Sequence, residues 1–166
     1  MRLPTKTSRF GYVHGQRNHE GIPHPGYDLN NGPTPTSDLG QPVYAPEDGV
    51  VVYARTGSGT WGGLVVVLGK SGFAHRLGHV RNIRVKEGQE VKEGQQVAEI
   101  GEFVKGLPHL HYDMVEPKVI HTISILIKAP YVRWDFWHVN FPKLFEHMYV
   151  DPARFHPELA KLLGGK

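Results

Sequence analysis

The chain has 166 residues, 39% of them hydrophobic and 21% charged, with a formal net charge of +3. That length fits one domain with a real core and room for an appendage, and the longest apolar run, LVVVL at 64–68, is far too short to cross a bilayer. There is no cysteine, which excludes disulfides and thiolate-bound metal, so any metal must be held by His, Asp or Glu.

The opening segment, MRLPTKTSRFGYV, lacks the continuous apolar stretch of a secretory signal. Next comes GIPHPGYDLNNG at 21–32, which sets His24 and Asp28 four apart in a segment too rich in Gly and Pro for a helix. Locally two readings stay open: a turn with incidental polar residues, or a pair of metal ligands on a loop. From residue 41 the pattern is short strands and tight turns. QPVYAPEDGVVVYA predicts two β runs around Glu47-Asp48-Gly49, GTWGGLVVVLGK a buried run closed by Gly69, and GFAHRLGHV a strand with alternating faces. In VKEGQEVKEGQQVAEIG the unit VKEGQ occurs twice, predicting two successive Gly turns with Val85, Val91, Val97 and Ile100 pointing inward. PHLHYDMV at 108–115 is again strand-like.

After Glu116-Pro117 the character changes. Eighteen of the 20 glycines precede residue 107, and residues 1–117 hold 12 basic and 12 acidic side chains against 7 and 4 afterwards. These shifts predict a glycine-punctuated β core, residues 1–116, carrying a basic, aromatic-rich, partly helical extension, residues 117–166. VIHTISILIK at 119–128 reads equally as strand or buried helix. A short helix is expected from about Asn140 to Tyr149, an N-cap at Asp151-Pro152, and a last helix from Pro157 to Leu163 ended by Gly164.

Eleven histidines are many for this length. His109 and His111 are two apart, so a strand puts both on one face, and His75, Leu77 and His79 are expected to share a face in the same way. The segments HPGYD at 24–28, GHV at 78–80, the VKEGQ turns and PHLHYD at 108–113 stand in a definite order. Together they resemble the lysostaphin-type (LytM-like) zinc endopeptidases that cut bacterial peptidoglycan, and SRFGY at 8–12 is similar to that family's S-x-F-G-x-R opening, with Tyr12-Val13 where an arginine is usual. The resemblance covers about residues 8–115.

It implies a mainly β fold, an antiparallel sheet forming a groove (the duplicated hybrid motif), and one Zn²⁺ per chain held by His24, Asp28 and His111. A His/Asp/His set with an open fourth position is what a catalytic zinc requires, and Gly26 is expected to give the loop between the first two ligands its freedom. The resemblance further implies a zinc-bound water as nucleophile, His109 as its general base and His79 as the group that stabilises the oxyanion or positions the water. His79, not His75, lies the family's nine or so residues before the first turn glycine, Gly88; His75 is expected to orient a neighbour from behind. His14 and His19 read as solvated loop residues.

The match fails between residues 117 and 149, where APYVRWDFWHVNFPKLF places Trp134 and Trp137 among other aromatics. Such rings either line a substrate cleft or pack the extension onto the core. The implied partner is the peptide of bacterial peptidoglycan, outside the cytoplasmic membrane; with no leader seen, a phage-encoded lysin or a leaderless form is expected. No helix-turn-helix, zinc finger or basic stripe points to nucleic acid. A catalytically silent wall-binding homologue is the alternative, but such proteins lack ligands that this chain keeps. A lipoyl- or biotinyl-type carrier would leave HPGYD and HLHYD without a purpose.

Overall fold

In a computed structural model, residues 1–18, 21–57, 61–116 and 145–164 are described. Along the chain run β1 (Arg9–Phe10), β2 (Gly26–Asn30), β3 (Pro42–Tyr44), β4 (Gly49–Arg55), β5 (Leu64–Gly69), β6 (Ala74–Gly78), β7 (Val80–Arg81), β8 (Glu90–Val91), β9 (Gln96–Ile100) and β10 (Leu110–Val115). They are followed by α1 (Phe145–Met148), β11 (Tyr149–Val150), a 3-10 turn (Pro152–Arg154) and α2 (Pro157–Leu162). The large sheet has the order β1-β2-β10-β6-β5-β4-β8, a small one the order β3-β9-β7, and the pairings are antiparallel. The fold is thus mainly β, as the turn-punctuated sequence predicts.

Strand periodicity divides the side chains cleanly between two faces. Leu110, Tyr112 and Met114 of β10, Leu77 of β6 and Val65 and Val67 of β5 enter the main core, which the small sheet supplies with Val43, Val97 and Ile100. Leu64, Val66, Ala74 and Val115 point the other way and pack with Trp61, Phe145, Met148 and Tyr149. Because both faces of β5 are covered, LVVVL reads as an unbroken apolar run rather than an alternating one. The twin VKEGQ units form the same turn twice. Gln89 N–H donates to Lys86 O and Gln95 N–H to Lys92 O, with Gly88 at φ 83° and Gly94 at φ 80° in the region glycine tolerates. Val91, Val97 and Ile100 are buried as expected, and Val85 packs partly against the core.

β10 organises the molecule. On one edge it pairs with β6; on the other, β2 covers Leu110–Asp113 and β11 continues along Met114–Val115. The expected helix up to Tyr149 ends one residue earlier, at Met148, because Tyr149 leaves it to pair with Val115; its expected start near Asn140 lies outside the described residues. Asp151 caps the 3-10 turn by accepting from Ala153 N–H at 2.9 Å and takes the Tyr27 hydroxyl at 2.9 Å. Leu159 of α2 is fully buried in the main core, and Gly164 follows the helix at φ 77°. The stretch 119–128 and the aromatic run with Trp134 and Trp137 lie outside the described residues, as does His19.

Candidate metal centre

The site is built on the face of β2, β10 and β6 that looks away from the main core. Asp28 is paired with His111 across β2 and β10, and His111 with Gly78 across β10 and β6. Directly paired residues point to the same side, so register alone brings Asp28 beside His111. His24 lies two residues before β2. Asp28 therefore sits on a strand and not on the expected loop, and Gly26 acts differently from the expectation. A Cβ there would fall 2.1 Å from Tyr112 O, so glycine is needed for close approach of two strands, not for backbone freedom.

Three ligating atoms converge. His24 Nε2 and Asp28 Oδ1 are 3.1 Å apart, His24 Nε2 and His111 Nδ1 3.1 Å, and His111 Nδ1 and Asp28 Oδ1 3.2 Å. The remaining ring nitrogens fix what the converging ones can be. His24 Nδ1 is 2.8 Å from Gly26 O, which can only accept, so it carries the proton and Nε2 turns a lone pair inward. His111 Nε2 donates to Asp113 Oδ2 at 2.9 Å, which leaves Nδ1 as its inward lone pair. Two lone pairs and a carboxylate facing one another across about 3 Å repel unless positive charge lies among them. A proton can supply that charge as well. Burial works against charge on His111, yet Asp113 and Asp28 outweigh it and raise its pKa to about 9. Burial likewise pushes Asp28 up, but the two imidazoles beside it, which can take up a proton where an ion would lie, hold its carboxyl well below the usual carboxylate range. Zinc with N and O ligands at about 2.0–2.1 Å in a tetrahedron sets its ligands about 3.3 Å apart. The donor set fits such an ion closely.

Two more histidines flank the triangle. His109, just ahead of β10, has Nε2 3.6 Å from Asp28 Oδ1, while its Nδ1 donates to Leu107 O at 2.9 Å. His79 stands next to it, ring centroids 4.7 Å apart. It interrupts the strand between β6 and β7 with φ 61°, a left-handed conformation that turns its ring to the site side. Its Nδ1 donates to Trp61 O at 3.1 Å. Burial, then the neighbouring His109 and His111, push its pKa down to about 3, so the ring is neutral. Phe103, half exposed, stacks on it at 5.4 Å.

The structure corrects the expected role of His75. Lying inside β6, it shares the core face with Leu77, whereas His79 has left the strand and faces the other way. His75 is fully buried between Glu47, at 2.7 Å from Nε2, and the Tyr112 hydroxyl, at 3.0 Å from Nδ1. His14 is also no solvated loop residue: it is half-buried, donates to Pro25 O at 2.8 Å and packs on Phe145. The group that does stand behind a ligand is Asp113, which also accepts two bonds from Arg76, at 2.7 and 2.8 Å. His109, His111 and Asp113 alternate along the chain, so H-x-H-x-D was a readable signal for it. Trp61 had none. It packs edge-on against His111 at 5.4 Å in space that Gly78 leaves free; a Cβ at Gly78 would meet the indole at 2.5 Å.

Residues 23–121 match the model of Peptidase family M23. The chain belongs to that family. The matched span contains His24, Asp28, His79, His109 and His111. M23 peptidases are in general zinc-dependent hydrolases of peptidoglycan. A curated relative, the lipoprotein NlpD/LppB homolog of Pseudomonas aeruginosa, is 40% identical over 86 residues, which are 52% of this chain and 29% of that protein. The chain thus spans under a third of that relative's length. Among solved structures, a zinc-containing peptidase from Vibrio cholerae is similar with a TM-score of 0.56 and 29% identity over 68% of this M23 chain and 35% of the other. The catalytic domain of lysostaphin from Staphylococcus simulans is similar with a TM-score of 0.55 and 25% identity, covering 65% and 80%. Among the described residues, no helix is long and apolar enough to cross a membrane.

Proposed function

We propose that this chain is a zinc-dependent endopeptidase that hydrolyses peptide cross-links or stem peptides of bacterial peptidoglycan, outside the cytoplasmic membrane. The observation that carries this reading is the convergence of three electron-pair donors, from His24, Asp28 and His111, beside two histidines that are not part of the triangle. Bound there, Zn²⁺ supplies a Lewis acid that polarises a carbonyl and makes water a nucleophile at neutral pH. The chain's own residues do the rest. His109 Nδ1–H is fixed on Leu107 O, so Nε2 is its basic atom, and it faces the ligand triangle where a proton is released. It can later pass that proton to the leaving amine. His79 spends its Nδ1–H on Trp61 O and is neutral, so its free nitrogen accepts a hydrogen bond. That favours positioning a water over donating to an oxyanion, the narrower of its two expected roles. The Phe103 ring, stacked on His79 at 5.4 Å, would flank the reacting carbonyl in this reading.

Digestion of purified peptidoglycan, with and without a chelator, followed by mass spectrometry of released fragments tests the proposal. New amino termini that vanish on chelation are expected and identify the cleaved bond. New reducing ends would refute peptide hydrolysis. Zinc retained without release of fragments would make the chain a silent, wall-binding homologue.

A further inference from the structure

The metal centre has a support that comes from outside the family-matched span. Tyr149 lies on β11, beyond residue 121, and is paired with Val115 on the same edge of β10 that β2 covers further along. Asp113 and Val115 share a face, so the ladder delivers Tyr149 to the site side of the sheet. Its ring lies 5.1 Å from Arg76 Cζ, and the Trp61 ring lies 5.0 Å from the same atom. Arg76 is 2% exposed, so these contacts are shielded from bulk solvent. Its fork grips both carboxylate oxygens of Asp113, and one of them, Oδ2, also accepts the His111 Nε2 proton. A rotation of the guanidinium therefore rotates the acceptor that sets the His111 ring.

We propose that Tyr149 is a positioning residue for the His111 ligand, acting through Arg76 and Asp113, so that β11 completes the metal centre. The inference rests on the reading of His24, Asp28 and His111 as a zinc site. A ring that merely filled space would affect folding and leave the ligand geometry alone. A ring that holds the guanidinium plane affects metal affinity in the folded protein, because partners behind a ligand typically contribute 10–100-fold.

The test is zinc affinity of the folded chain by competition with a chromophoric chelator. Tyr149→Leu keeps apolar bulk and removes the aromatic face; it is expected to weaken zinc about tenfold. Tyr149→Phe keeps the ring over Arg76 and loses only the hydroxyl, which also bonds the guanidinium; it is expected to restore part of that affinity. Leu159→Ala, a cavity in the other core, is expected to lower stability with zinc affinity unchanged. Asp113→Asn combined with Tyr149→Leu should bind no more weakly than Asp113→Asn alone, since both act on one ligand; additive losses overturn the proposal. If Asp113→Asn does not fold, the visible spectrum of the cobalt-loaded protein decides: a band shift in Tyr149→Leu but not in Leu159→Ala is expected. Unchanged affinity and spectrum in Tyr149→Leu would overturn it as well. Failure of the unaltered chain to bind zinc would instead defeat the underlying metal reading, and is recognisable because it precedes any substitution.

Discussion

The two faces of β6 and β10 carry similar residues arranged to opposite ends. On the site face, His24, Asp28 and His111 bring three acceptors within 3.2 Å of one another. On the core face, Glu47, His75, Tyr112 and His156 form a line: Glu47 to His75 at 2.7 Å, His75 to the Tyr112 hydroxyl at 3.0 Å, and that hydroxyl to His156 Nε2 at 2.9 Å. In the line, each contact can be matched donor to acceptor, and Ser71 adds hydrogen bonds to Glu47, whose pKa falls to about 2 although burial opposes this. In the triangle the donors are already spent outward, on Gly26 O and Asp113. Histidine and carboxylate content therefore does not mark a metal site; where the ring protons point does.

The contrast can be broken first at the triangle. His24→Ala or His111→Ala is expected to abolish zinc retention on gel filtration, measured by metal analysis, with hydrolysis falling by roughly 10³-fold or more. His109→Ala should retain zinc and lose about 10²–10⁴-fold in turnover. Normal turnover in that variant would remove it as the base. On the core face, His75→Ala should leave zinc affinity unchanged while lowering unfolding free energy by about 3–5 kcal/mol, because it opens a cavity and strips a buried partner from Glu47 and Tyr112. Urea titration checks it, and a loss of zinc at retained fold would mean the two faces are coupled.

The mildest effect is one of pH. His156 is fully buried, its Nδ1 has no hydrogen-bond partner among the described residues, and burial, followed by the nearby His75, pushes its pKa down to about 4. The Tyr112 hydroxyl lies against its Nε2, and of the charges around it the N-terminal ammonium acts with His75 while Glu158 and Glu93 work the other way. A histidine depressed in the folded state binds fewer protons there than in the unfolded chain, so its contribution is complete above pH 6.5 and is lost as pH falls toward 4. The loss amounts to about 3 kcal/mol at most. Thermal melts between pH 7 and 5 should show it, and His156→Gln should flatten the slope.

Much of the β core was legible because it is local. Gly turns, the doubled VKEGQ unit and β-branched runs each specify their own stretch of chain. The candidate ligands His24, Asp28 and His111, which the fold brings together, were legible through ordered motifs, and the spacing to Gly88 separated His79 from His75. What stayed hidden depends on register between distant strands. Strand alternation put His75 and His79 on one face, and a single left-handed residue at His79 reversed that. Gly26 looked like a hinge because nothing in HPGYD says that Tyr112 O will lie against it. Trp61 and Arg76 act at the site only because β5, β6 and β10 bring them there.

The placement of β10 also has a temporal consequence. His111 meets Asp28 across 83 residues and His24 across 87, and Tyr27 meets Asp151 across 124. No pair among these can form until a long loop has closed, and such non-local pairings are the slow steps of β folding. A chain emerging from the ribosome displays HPGYD well before PHLHYD exists, so the first two ligands must wait, unassembled, for the last. On the proposed reading of the triangle as a zinc site, metal capture is then a closing event of maturation, and its rate during refolding is expected to be set by strand docking and to become independent of zinc concentration once the ion is in excess.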